Sequence, residues 1–176
     1  MAEPPARLEV LLTAEEVQRR VDALAEDLLP RLAPDAVAVC LLVGGLWFAA
    51  DLTRALARLG RPLAFDAIWL TSYGDGVSSR GLCEVRAGLQ RPVAGRQVLI
   101  LDDVAESGAS LAEAANLLTA EGAARLITAV FARKPWRGRA LEPDFAAWEA
   151  PDSFLVGYGM DLAGDLRGLP YIAVAA

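Results

Sequence analysis

The stretch VLILDDVAESGAS, Val98–Ser110, decides how the rest of the chain is read. An apolar segment of strand character runs into two adjacent acids, Asp102 and Asp103. It then passes through Glu106-Ser107-Gly108 into what reads as a helix. Two carboxylates side by side suit a ligand presenting two donors, such as the cis-diol of a pentose, or a hydrated magnesium ion. Ser107, Gly108, Ala109 and Ser110 lead into a helix N-terminus, where free N–H groups, the positive end of the helix dipole and two hydroxyls suit an anion. A pentose carrying a phosphate meets both halves. The plain alternative is a solvated acidic turn followed by a helix cap.

Outward from this stretch, buried strands and helices alternate. Thr13-Ala-Glu-Glu16 has the form of a capping box. Val17, Val21, Leu24, Leu28 and Leu29 follow at helical spacing, so a helix is expected from Ala14 to about Leu29, stopped by Pro30. AVAVCLLV (Ala36–Val43) is a continuous apolar run that suits a strand covered on both faces. LWFAADLTRALARLG reads as a helix closed by Gly60, and PLAFDAIWLTSY as a strand leading into a Gly/Ser-rich loop. Ser110-Leu-Ala-Glu113 has the form of a second capping box, opening a helix that ends near Gly122, and RLITAVFA is another buried strand. Beyond Pro135 the chain reads as irregular, with short strands around Ala146 and Phe154. The alternation predicts an α/β fold with a mostly parallel central sheet flanked by helices, in one domain over residues 1–176.

Composition narrows the function. The apolar fraction of 55% and charged fraction of 23% are those of a folded globular chain. A net charge of −6 repels nucleic acid, so no nucleic-acid partner is expected and a phosphate must be held by local geometry. With no histidine, Ser-His and Cys-His nucleophiles and His-based zinc sites are excluded. Cys40 lies in an apolar run and Cys83 has no partner motif, so reduced thiols and a cytoplasmic location are expected. No apolar run is long enough for a membrane span, and no membrane partner is expected. The Gly-x-Gly-x-x-Gly fingerprint and the Walker loop are both absent.

The order of strand, two acids, small residues, acid, Ser-Gly, Ser and helix resembles the phosphoribosyl-pyrophosphate signature of the type I phosphoribosyltransferases. Other segments narrow the resemblance to the hypoxanthine-guanine branch: VGGLWFAADLTRAL resembles its first loop and helix, and FDAIWLTSYGDGVSSRG its strand and mobile loop. FARKPW, PDFAAWEAPDSFLVGYGMD and LRGLPYI resemble its purine-site segments, in order. Coverage runs from about Ala14 to Val174.

The resemblance implies the type I phosphoribosyltransferase fold, with a small hood built from the terminal segments. It implies transfer of a phosphoribosyl group from phosphoribosyl pyrophosphate to N9 of hypoxanthine or guanine, with Mg2+. Asp102 and Asp103 would hold the ribose hydroxyls, directly or through magnesium, and Ser107, Gly108, Ala109 and Ser110 the 5′-phosphate. Lys134 would donate to the 6-oxo group of the purine, Phe154 would stack on the base, and the backbone near Leu155 would read its edge. Asp161 would bind a second magnesium on the pyrophosphate, which Arg167 and the amides around Gly44 would also face. The loop at Tyr73, with Gly74, Gly76 and Gly81, would close over the site. A homodimer or homotetramer is implied as well, with Trp47, Trp69, Trp136 and Trp148 as interface or core residues.

Two positions depart from the family pattern. Glu106 stands where an aspartate faces N7 of the purine, and its extra methylene displaces the carboxylate by roughly 1.5 Å. Val43 stands where many members carry a lysine. The two departures keep a second reading open, a catalytically weak regulatory or nucleotide-sensing protein on the same fold. Xanthine is a further candidate base.

Overall fold

The computed structural model describes residues 7–72 and 83–175. After strand β1 (Leu8–Leu12) comes helix α1 (Ala14–Leu28), capped as expected: the Glu16 N–H donates to Thr13 Oγ1 (3.3 Å) and the Thr13 N–H to Glu16 Oε2 (2.8 Å). Pro30 does not simply stop the helix. It opens a short 3₁₀ turn, Leu29–Arg31, where its missing N–H is not needed. Then follow β2 (Val37–Leu42), α2 (Leu46–Arg58), β3 (Ala64–Ser72), β4 (Cys83–Ala87), β5 (Gln97–Ala105), α3 (Ala109–Ala120), β6 (Arg125–Arg133), β7 (Phe145–Glu149), β8 (Leu155–Val156) and β9 (Ile172–Ala175).

The central sheet has the order β4-β3-β2-β5-β6-β7, and β2, β3, β5, β6 and β7 run parallel. Only β4 is antiparallel, against β3. The apolar runs form strands because both faces of the sheet are covered. Ala38, Cys40, Leu99, Leu101 and Phe131 face the core shared with α1 and α2, whereas Val37, Val39, Leu41, Val98, Ile100 and Val130 pack with Leu111, Ala114 and Leu118 of α3. A second sheet, β1-β9-β8, is antiparallel and joins the two terminal segments, with Leu8 opposite Ala175 and Leu155 opposite Val174. It is the hood.

Two expectations need correction. The strand read as Val98–Leu101 extends to Ala105, because Asp102 and the residues after it stay paired with β6, ending at Ala105 opposite Arg133. On the other side β2 stops sooner, its last pair being Cys40 with Leu101. Helix α3 starts at Ala109 with Gly108 as its N-cap, so Ser110 is already inside the first turn and makes no capping box. The cause is Gly108, whose left-handed φ of 71° sets the turn one step earlier than the Ser-x-x-Glu pattern implies.

Among the described residues no helix is long and apolar enough to cross a membrane. Cys40 is fully buried, and burial, then the nearby Asp102 and Asp103, push its thiol up to about 12; it is a small core residue, as the sequence suggests.

Phe131 of β6 locks the layers together. Its ring meets Phe48 of α2 edge-on at 5.9 Å and Tyr158 at 4.9 Å, and the Tyr158 hydroxyl donates to Asp51 Oδ2 of α2 (2.9 Å). Phe131→Ala is expected to destabilise the protein by about 3–5 kcal/mol, measured by urea unfolding. A loss below about 1 kcal/mol would contradict this packing account.

Candidate active site

Strand order reverses between β2 and β5: from β2 the chain proceeds to β3 on one side, and from β5 to β6 on the other. Crevices of open α/β sheets form at the carboxyl ends of strands flanking such a switch point. A pocket of about 470 Å³ lies there, lined by the β2–α2 loop, the end of β5 and the first turn of α3, with Lys134, Phe154, Leu155, Asp161 and Arg167.

The floor is the part of β5 that lies beyond its last pair with β2. Asp102 Oδ1 accepts the Asp103 N–H (3.0 Å), and Asp103 Oδ1 accepts the Val104 N–H (2.8 Å). Side chains alternate along a strand, yet these two carboxyls stay within each other's electrostatic reach. Burial, then the charge of Asp103, push the Asp102 carboxyl well above the usual range; burial also raises Asp103, against hydrogen bonds and the opposing pull of Arg167. The β2–α2 loop comes so close that a Cβ at Gly44 would collide with the Asp103 carboxylate. At Gly45 a Cβ would lie 2.7 Å from the Leu41 carbonyl oxygen. Only glycine permits this approach. The Leu42–Val43 peptide is cis, and Val43 is partly exposed on the pocket wall.

Above the floor, residues 105–108 turn their carbonyls away from the pocket. Ala105 O accepts the Lys134 N–H (3.0 Å), Glu106 O accepts Arg139 Nε (2.8 Å), and Ser107 O accepts the Ala140 N–H (2.8 Å). Among the described residues the first turn of α3 has no side-chain cap, and only the Ala109 N–H has a weak local partner, Ser107 Oγ at 3.4 Å. Its N–H groups therefore remain available at the pocket, which is where an anion is best held.

The far wall joins groups from three segments. Lys134 is 8% exposed, and its Nζ lies 3.5 Å from Glu106 Oε1. Phe154 is 55% exposed, an open aromatic face on the pocket rim, above buried Leu155. Asp161 accepts the Gly164 N–H (2.6 Å) and pairs with Arg167, whose Nη1 also donates to the Gly159 carbonyl. The sequence-derived site residues thus come together in one pocket, with one exception: Tyr73 lies outside the described residues, as do Gly74, Gly76 and Gly81. Arg139, almost fully buried behind Glu106 and Lys134, was not anticipated. It stands in RGRALEP without a periodic or motif signal, and only tertiary structure reveals its partners.

A sequence model of the phosphoribosyl transferase domain matches residues 9–162. The chain is 34% identical over 171 residues to the hypoxanthine-guanine phosphoribosyltransferase of Mycobacterium tuberculosis, covering 93% of this chain and 83% of the relative. A crystal structure of a hypoxanthine phosphoribosyltransferase from Staphylococcus aureus superposes with a TM-score of 0.88 at 30% identity, covering 96% of this chain and 91% of the other. The Trypanosoma cruzi enzyme in complex with its product IMP gives 0.87 at 27% identity, over 100% and 97% of the two chains. A switch-point pocket with two acids on β5 and an uncapped α3, together with these likenesses, places the chain in the phosphoribosyltransferase family, in its hypoxanthine-guanine branch.

Proposed function

We propose that the protein transfers the 5-phosphoribosyl group from phosphoribosyl pyrophosphate to N9 of hypoxanthine or guanine, forming IMP or GMP and pyrophosphate. One observation carries this reading: a single pocket holds a sugar-phosphate half, Asp102, Asp103 and the open turn of α3, and a base half, Lys134, Phe154 and Leu155, with Glu106 between them. The substrates of the relatives have the same two halves.

Each residue has a task that its position supports. The N–H groups and hydroxyls of Ser107 to Ser110 bind the 5′-phosphate, which the acidic chain could not attract by bulk charge. Asp102 and Asp103 bind the ribose diol. Phe154 offers its exposed ring to the base, and Leu155 its backbone. Lys134 donates to the 6-oxo oxygen, while Glu106 accepts the proton at N7. Their 3.5 Å separation puts donor and acceptor side by side, as the O6 and N7 edge requires. Adenine would set its own 6-amino donor against Lys134 and leave a buried charge unpaired.

Loss of pyrophosphate develops positive charge at C1′ and negative charge on the leaving group. Arg167 faces that side of the pocket, held by Asp161 and by the Gly159 carbonyl, and stabilises the leaving group without reorganising. The donor set suits Mg2+: Asp102, partly buried, and Asp103, buried, are adjacent carboxyls that a hydrated dication would favour in the charged form. Asp161 is a separate candidate ligand on the pyrophosphate side. Among the described residues no three acids gather as one cluster, so each ion would complete its shell with water and substrate oxygens. When bound, magnesium would neutralise charge on the diol and the leaving group. The protein is also proposed to work as a single domain in the cytoplasm, as a homodimer or homotetramer; exposed Phe65 and Trp69 on β3 and Val85 on β4 support a subunit contact.

Wild-type protein with Mg2+ and phosphoribosyl pyrophosphate is expected to turn over hypoxanthine or guanine but not adenine, followed spectrophotometrically, and chelation is expected to stop the reaction. Glu106→Gln should lower kcat by ~10²–10⁴, whereas Glu106→Asp should keep turnover; a silent wild type with an active Glu106→Asp would favour the sensing reading. Lys134→Met should reduce kcat/KM for hypoxanthine by roughly tenfold to a hundredfold, the worth of a charged hydrogen bond, and should narrow the gap to adenine. An unchanged ratio of the two bases would remove Lys134 from base selection.

A further inference from the structure

Arg139 lies behind the pocket wall and binds the main chain of both Glu106 and Lys134. Its side chain is only 5% exposed, and each of its three nitrogens has a separate partner. Nε donates to the Glu106 carbonyl (2.8 Å), Nη2 to the Lys134 carbonyl, and Nη1 to Glu142 Oε2 (2.6 Å). Glu142 in turn pairs with Arg133 (3.0 Å), so the buried positive charge is compensated on the side away from the pocket. Gly108 shows how tightly the arginine is packed. A Cβ there would lie 2.6 Å from Arg139 Cγ, besides striking the backbone of Leu141.

Carbonyls 105, 106 and 107 are successive, and their partners are the Lys134 N–H, the Arg139 side chain and the Ala140 N–H. Two of the three links are backbone hydrogen bonds. The middle one is at the residue whose carboxylate faces Lys134, and it depends on a side chain. That side chain binds the main chain of Glu106 and of Lys134 at once, and the side chains of those two residues pair directly on the pocket wall at 3.5 Å. We propose that Arg139 is a positioning residue that fixes the spacing of Glu106 and Lys134 and thereby the fit of the base edge, an inference that rests on the function proposed above. A planar guanidinium donates in several fixed directions; a lysine ammonium is one point charge on a flexible stem and cannot span both carbonyls with the same geometry. Because Glu106 carries one methylene more than aspartate, its carboxylate has an extra torsion to control. With the backbone anchored, no further freedom from the main chain is added to that torsion.

The test is a kinetic double-mutant cycle of Arg139→Lys with Glu106→Gln, with hypoxanthine as the base. Wild-type turnover is recorded first, since its absence would sink the proposed function rather than this inference. With an active wild type, Arg139→Lys is expected to keep a cooperative thermal transition and to lose about a hundredfold in kcat/KM for hypoxanthine, the order expected for a misplacement of ~1 Å. KM for phosphoribosyl pyrophosphate should change by less than the loss with the base. In the double variant the losses should not multiply, because both changes remove one arrangement. Independent losses that multiply, or an Arg139→Lys protein within about threefold of wild type, would overturn the proposal. Should Arg139→Lys not fold, the same cycle is run with Arg139→Gln, with the same two outcomes decisive.

Discussion

The site depends on where β5 loses one of its two pairing neighbours. β2 and β5 run side by side, but β2 makes its last pair at Cys40 with Leu101, while β5 continues to Ala105 along β6. The overhanging segment is therefore anchored on one side and open on the other. Into the open side come Gly44 and Gly45, close enough that neither could carry a Cβ. The floor of the pocket is held on one side by β6 and is accessible on the other because β2, though it runs on to Leu42 beside β3, no longer pairs with it. A fully paired β5 would leave no crevice, and an unpaired one would leave the two carboxyls without a fixed direction. Hydrogen bonds to the carbonyls of residues 105–107, two from backbone N–H groups and one from the Arg139 side chain, extend the same logic.

Much of this was legible in the sequence because the signals were local. The capping box at Thr13, the apolar runs AVAVCLLV and RLITAVFA that form β2 and β6, and the order of small residues after Asp103 depend on neighbours a few positions apart. β1 and β9 were not legible. They pair Leu8 with Ala175, and their short, partly exposed segments carry no alternation strong enough to read. The length of β5 was misjudged because two aspartates interrupt its apolar run, although polarity of the side chains does not stop the backbone from pairing with β6. Ser110 matched a capping pattern by composition, but a left-handed Gly108 set the start of α3. Arg139 left no trace, since its partners are backbone carbonyls that any residue would supply.

The two departures from the family pattern differ in weight. Val43 leaves an apolar side chain on the pocket wall where the family resemblance implies a lysine, and the Arg167–Asp161 pair lines the same pocket. Glu106 is compensated more directly. Its longer side chain reaches Lys134, and its backbone is pinned by Arg139. A carboxylate and an ammonium side by side on one pocket wall offer a ligand one acceptor and one donor, which the N7–H and O6 of a 6-oxopurine complement.

The most direct test of the account is a crystal structure of the protein with IMP and magnesium. The account predicts the phosphate on the first turn of α3, the ribose hydroxyls at Asp102 and Asp103, and the hypoxanthine ring on Phe154 with its O6 within hydrogen-bonding distance of Lys134 Nζ. Glu106 would then face N7 in place of its contact with Lys134. A nucleotide bound with its phosphate away from residues 107–110, or with its base away from Lys134 and Phe154, would contradict it.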